Sequence, residues 1–169
     1  MNRNELMAKR EELIKRREAL KLKRKREDRL SRLDDLGNYL DAHRIAYTLR
    51  LDDEAFAWIA ETFPYVFSGI DWDKVPGATK IWHGSDDERD RLISTLLATH
   101  LLPSDVVVVT FGNADTPSIE LQAEAVIHYT ALFADEDEDI WVTESAKGFC
   151  LESYHEGYVG VKAGQKDCF

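Results

Sequence analysis

Carboxylates dominate the chemistry open to this 169-residue chain, with 32 Asp+Glu against 22 Lys+Arg. The densest run is Asp135, Glu136, Asp137, Glu138 and Asp139, while Asp71 and Asp73 bracket Trp72. Asp86, Asp87, Glu88 and Asp90 form a further cluster. These groups offer metal ligands, but no stretch has the spacing and turn glycine of a calcium loop. A run of this kind is more often a solvated loop, and the functional alternative is a surface that meets a basic partner. The histidines are His43, His83, His100, His128 and His155, and none stands in a metal-ligand spacing. His155 and Glu156 are adjacent, which offers a general acid–base pair. Neighbours on a regular strand point to opposite faces, so a joint role needs a turn there. A small hydrolase using His155 and a nearby carboxylate is the weakest of three functional readings. No G-x-S-x-G elbow supports it. Phe111 to Asp115 holds one glycine and is no phosphate loop. An anion at the N-terminus of the helix expected after it would be opposed by Asp115 and Glu120. Cys150 and Cys168 form neither a metal-type spacing nor a disulfide framework, which predicts a reduced protein. No cofactor or metal is expected.

The charge is lopsided. Residues 1–35 carry 13 Lys+Arg against 8 Asp+Glu, and the other 134 residues carry 9 against 24. A basic arm of net +5 therefore joins an acidic body of net -15. Such a body speeds association with a basic partner, and Trp72, Trp82 and Trp141 are candidate apolar anchors. Nucleic acid is disfavoured as a partner. Acidic residues interleave with the basic ones in the arm, and no aromatic precedes Tyr39. No apolar run approaches the roughly 20 residues that span a bilayer, and no signal-peptide pattern follows the basic N-terminus. A cytoplasmic protein without membrane contact is expected.

The elements that would position these groups follow from periodicity. Residues 3–35 are rich in helix formers. Leu6, Leu13 and Leu20 recur every seven residues as a narrow seam, a candidate for self-association. Leu30, Leu33, Leu36 and Leu40 continue at helical spacing, with Gly37 as a tolerated residue or a break. Alternation from Ile45 to Leu51 predicts a short strand. Asp52 or Asp53 caps a helix through Phe63, which Pro64 ends. Tyr65 to Gly77 reads as an aromatic loop. Thr79 to His83 is a strand, and Ser85 with Glu88 forms a capping box for a helix to about Leu101. Val106 to Phe111 reads as a central strand buried on both faces. Ser118 is expected to cap a helix with Ile119, Ala123, Val126, Ile127 and Phe133 on one stripe. Strands at Ile140–Val142, Phe149–Leu151 and Tyr158–Val161 close the chain. The sum is an α+β fold: a single mixed or antiparallel sheet covered by helices, preceded by a long charged N-terminal helix. The expected divisions are a helical arm over 1–42, a globular domain over 43–162 and a flexible tail over 163–169.

Asp139-Ile140-Trp141-Val142, a short turn, and then Phe149-Cys150-Leu151-Glu152-Ser153-Tyr154-His155-Glu156-Gly157 resemble the terminal hairpin of small immunity proteins. These belong to polymorphic-toxin and contact-dependent growth inhibition systems. The resemblance spans roughly residues 80–162 and leaves out the basic arm. It implies a cytoplasmic, non-enzymatic bacterial protein that neutralises one cognate toxin, often a nuclease, by covering its active site or a neighbouring surface. Read with the charge pattern, it makes Asp135, Glu136, Asp137, Glu138, Asp139, Trp141, Tyr154, His155, Glu156, Asp71, Trp72 and Asp73 the expected contact residues for a basic toxin. The alternative is a nucleic-acid-associated or DNA-mimicking regulator that uses the arm or the acidic body.

Overall fold

The structure, a computed structural model, describes residues 3–164, with side chains in the first helix at Met7 and from Lys9 onward. The Leu6 side chain, Cys168 and the tail beyond residue 164 lie outside the described residues. Helix α1 (Arg3–Ser31) is the arm. The chain then breaks at Arg32 and Leu33 and continues in α2 (Asp34–Ala42). Leu33, Leu36 and Leu40 are buried in the core of the body, so the solvent-exposed part of the arm ends with α1. Gly37 is a helical residue and not the break. A Cβ there would lie 2.9 Å from the Tyr47 hydroxyl, so the missing side chain admits that ring.

Seven strands form one sheet: β1 (Tyr47–Arg50), β4 (Ala78–Trp82), β5 (Val106–Phe111), β6 (Ser118–Gln122), β7 (Ile140–Glu144), β8 (Phe149–Tyr154) and β9 (Tyr158–Lys162). Their order is β1-β6-β5-β7-β8-β9-β4, and every neighbouring pair is antiparallel. The α+β class therefore stands, with an antiparallel sheet. Helices α4 (Asp86–His100), α5 (Ala123–His128) and α6 (Thr130–Ala134) cover one face together with α2. Beneath them lie Val107, Val109, Phe111, Ile140, Val142, Leu151 and Val159, all on one side by the period-two rule. Ser85 caps α4 as expected, its Oγ accepting from the Glu88 amide, while the Glu88 carboxylate accepts from Gly84 N at 2.7 Å.

Three expectations are corrected. Ser118 does not cap a helix: it begins strand β6, in register with both β5 and β1. Ile119 and Leu121 face the core while Glu120 faces out, and the helical stripe starts only at Ala123. No helix N-terminus therefore follows Gly112 to receive an anion. Strand β5 is fully buried on one face only, since Val106 on the other is 54% exposed. The Tyr65–Gly77 segment is not a plain loop. It holds a hairpin of β2 (Tyr65–Val66) and β3 (Gly69–Ile70), followed by a 3-10 turn over Trp72–Lys74. This flap and α3 (Glu54–Thr62) cover the second face of the sheet. Among the described residues, no helix is long and apolar enough to cross a membrane.

Candidate functional site

The second face carries a row of cross-strand partners: Thr110, Trp141, Glu152, Gly160 and Lys80, on β5, β7, β8, β9 and β4. Glu152 is fully buried, and among the described residues it forms no ion pair. Its Oε1 accepts from the Ile70 amide at 3.0 Å and the Trp141 indole at 2.8 Å, and its Oε2 from the Trp72 indole at 2.5 Å. Gly160 makes room for this: a Cβ there would lie 2.1 Å from the Trp72 ring. Burial lifts the Glu152 carboxyl to about 7, against the opposing pull of its three N–H donors and with a further lift from Asp139. Tyr65, Cys150 and Tyr158 also face it, and burial first, then its charge, raises all three. A two-stranded hairpin of this size does not stand alone in water, so these bonds tie the flap to the sheet.

Phe67 stands at the tip of that hairpin, 99% exposed, with φ at +57°. It occupies the first of two loop positions between β2 and β3, where hairpin turns favour glycine. A left-handed conformation costs a residue with a Cβ about 1–2 kcal/mol. Strain of this kind gathers at functional positions. The tip is braced from below. Tyr65 Oη donates to the Ser68 carbonyl at 2.7 Å, and the Ser68 and Tyr154 hydroxyls meet at 2.6 Å. The Tyr154 ring lies 4.2 Å from the His155 ring. Phe67 and Val66 line a shallow recess with Asp71, Tyr154 and Glu156.

His155 pairs with Asp139 and not with Glu156. The Asp139 carboxylate receives the His155 amide at 2.7 Å and its Nδ1 at 2.9 Å, which raises the imidazole above its ordinary value. Among the described residues, no serine, threonine or cysteine side chain hydrogen-bonds to this ring. Nor do three His, Cys, Asp or Glu side chains gather as a metal-holding group.

The acidic run divides by parity. Asp135 pairs with Arg89 at 2.8 Å. Asp137 receives the amides of Asn113 and Asp139, and Asp139 holds His155. Glu136 and Glu138 are exposed, and no described side chain pairs with them. Asp71 is tied to Lys74 at 2.7 Å, while Asp73 is exposed.

The expected contact residues therefore separate. Tyr154, His155 and Glu156 border the flap, with the acidic run reached through Asp139. Trp141 and Trp72 are 1% and 4% exposed, with both indole N–H groups turned inward to Glu152, and Trp141 also lines the cleft described below. Phe67, which sequence reasoning left in a loop, is the most exposed of the aromatics among the described residues, and Trp82 on β4, an expected anchor, is 61% exposed. Glu152 was also missed, although a Glu inside Cys150-Leu151-Glu152-Ser153 on the face of Trp141 was a signal. On the other side of the hairpin, a cleft of about 500 Å³ opens between the end of α1 and the sheet. Phe56 and Tyr65 wall it, Asp139 lies at its edge, and Arg29 closes one end. The Arg29 guanidinium donates to Leu51 O at 3.1 Å and to Ala114 O and Asp115 O, pinning the arm to two loops. Compared with known protein families and with curated protein sequences, the chain gives no match.

Proposed function

We propose that this chain is an immunity-type binding protein that neutralises a basic protein toxin in the cytoplasm, without chemistry of its own. The observation that carries the reading is the strained, fully exposed Phe67 held among carboxylates. An aromatic presented in this way is the kind of anchor that dominates interface energy once it enters a partner pocket. Asp71 and Glu156 share its recess, and the acidic body supplies attraction that speeds encounter at low ionic strength. The neighbouring cleft, with its ring walls and Asp139, suits a lysine or arginine side chain of the same partner. The terminal-hairpin resemblance to immunity proteins supports the same reading.

The test uses the C-terminal domain encoded by the reading frame next to this gene. Co-expression with the wild-type chain is expected to restore growth and to yield a stable complex. Phe67→Ala is expected to weaken that complex at least about tenfold, on the scale of an interface anchor. A domain that neither harms cells nor co-purifies with the chain sinks the immunity reading. A tight complex indifferent to Phe67→Ala keeps the activity but removes this surface.

A further inference from the structure

The arm has a pattern of its own. Arg10, Leu13, Arg17, Leu20 and Arg24 alternate steps of three and four residues along α1, so they share one helix face. In sequence the same spacing reaches back to Arg3 and Leu6. Met7 and Ile14 flank the arginine side, and Lys9, Arg16 and Lys23 the leucine side. Glu11, Glu12 and Glu18 fall on the opposite face. The apolar members are not covered: Met7 is 60% exposed, Leu13 59%, Ile14 46% and Leu20 50%. Arg10, Arg17 and Arg24 make no ion pair among the described residues. Glu11 pairs with Lys15 at 3.0 Å on the far side, and Glu27, which continues the seam's spacing past Arg24, pairs with Lys23 at 3.7 Å.

We infer that α1 is a docking helix for an acidic amphipathic helix of a partner protein, with apolar residues at three-four spacing flanked by Glu or Asp. A second copy of this chain fits poorly. Parallel pairing sets Arg10, Arg17 and Arg24 against the same arginines, and antiparallel pairing brings Lys9, Arg16 and Lys23 together. Like charges at these positions are how paired helices exclude a wrong partner. The Leu seam therefore serves a complementary helix and not self-association. A phosphate backbone needs the cations but not the leucines. A lipid surface needs a broader apolar face than this single seam. Seam and charge together select an acidic helix. The inference does not depend on the reading of the Phe67 surface.

The test is a fluorescence-anisotropy titration of the full chain with labelled synthetic helical peptides about three heptads long. One carries Leu at one core position and Glu at the other core and flanking positions. A second has Lys in place of Glu, and a third scrambles the first. The chain is expected to bind the Glu peptide and to lose at least about tenfold in affinity as Arg10→Glu/Arg17→Glu/Arg24→Glu, which in turn binds the Lys peptide. Leu13→Ser/Leu20→Ser is expected to lose the Glu peptide as well. Far-ultraviolet circular dichroism checks that both variants keep their helix. Equal binding of the scrambled peptide overturns the inference, because charge alone then suffices. Tighter binding to duplex DNA or to anionic vesicles overturns it too, as does a salt-sensitive dimer of the chain by light scattering.

Discussion

On one face of the sheet, Leu36, Leu97 and Phe133 share an all-hydrophobic cluster with Val109, Val142 and Leu151. On the other, Ile70, Trp72 and Trp141 converge on one carboxylate, Glu152. The first closure is non-directional and spread over four helices, so it sets global stability. The second adds a few directional bonds to a smaller apolar cluster that includes Ile59, Phe63, Ile70 and Trp72, and those bonds set the position of one small flap. The flap carries the projecting Phe67, and the cohesion of the helix-covered face leaves this face free to be specialised.

The largest effects should separate the two faces directly. Phe133→Ala empties a fully buried position and is expected to cost about 3–5 kcal/mol of unfolding free energy in urea. Gly160→Ala drives a methyl into the Trp72 ring and is expected to cost about 1–3 kcal/mol, as overpacking does. The second loss should be local, with faster hydrogen exchange at the Ile70 amide while the β5 amides keep their protection. If both variants lower the urea midpoint alike and exchange uniformly, the two faces are one cooperative core and the contrast is lost.

A second contrast lies in pH. Glu152 holds its proton in the folded state up to about 7, whereas in the unfolded chain it gives it up near the ordinary 4.5. Between those values the folded state binds the extra proton, so stability falls as pH rises. The contribution is complete below about 4.5 and spent above about 7, and its size is on the order of 3 kcal/mol. His155 acts in the same sense but higher. Its value is raised above 6.5, mainly by its bond to Asp139, so its contribution is lost as pH climbs beyond that point. Urea midpoints from pH 4.5 to 8 should therefore decline. Glu152→Gln should flatten the lower part of the decline and His155→Gln the upper. Gln leaves one indole N–H facing an amide N–H, so it should also cost about 1–3 kcal/mol at low pH. An unchanged slope in Glu152→Gln would show that the carboxylate is not the group that couples the flap to pH.

The two faces were not equally legible. The helix-covered face follows in part from repetition: Ile93 and Leu97 recur at helical spacing, whereas the unbroken run Val106 to Val109 marks a strand without showing that one of its faces is open. The same logic overran at Ser118, because Ile119 can join either a helical stripe with Ala123 and Val126 or a strand with Leu121. Only pairing with β5 and β1 decides between them, and pairing is non-local. The flap gave no periodic signal, since its strands are two residues long and its turn lacks the expected glycine. The burial of Glu152 is a tertiary property: a glutamate in a strand normally faces water, and this one is held by donors from residues 70, 72 and 141. In the acidic run, composition showed the charge but not that Asp135, Asp137 and Asp139 are internal ties.

The smallest effect on stability should come from Phe67, and its sign is informative. A side chain that is 99% exposed contributes almost no burial, so removing it costs nothing in packing. Glycine also accepts φ of +57° without the steric cost of a Cβ, which favours the folded state by about 1–2 kcal/mol. Against this stands the extra freedom glycine has in the unfolded chain, about 0.5–1 kcal/mol. Phe67→Gly is therefore expected to leave the unfolding free energy in urea unchanged or to raise it slightly, by no more than about 1.5 kcal/mol. Affinity for the partner should fall in the same variant. A substitution that raises stability while removing binding marks a residue retained for what it touches and not for what it holds together. Destabilisation by Phe67→Gly would mean that the ring packs against the flap in solution, and the contrast between a holding residue at Glu152 and a presenting one at Phe67 would fail.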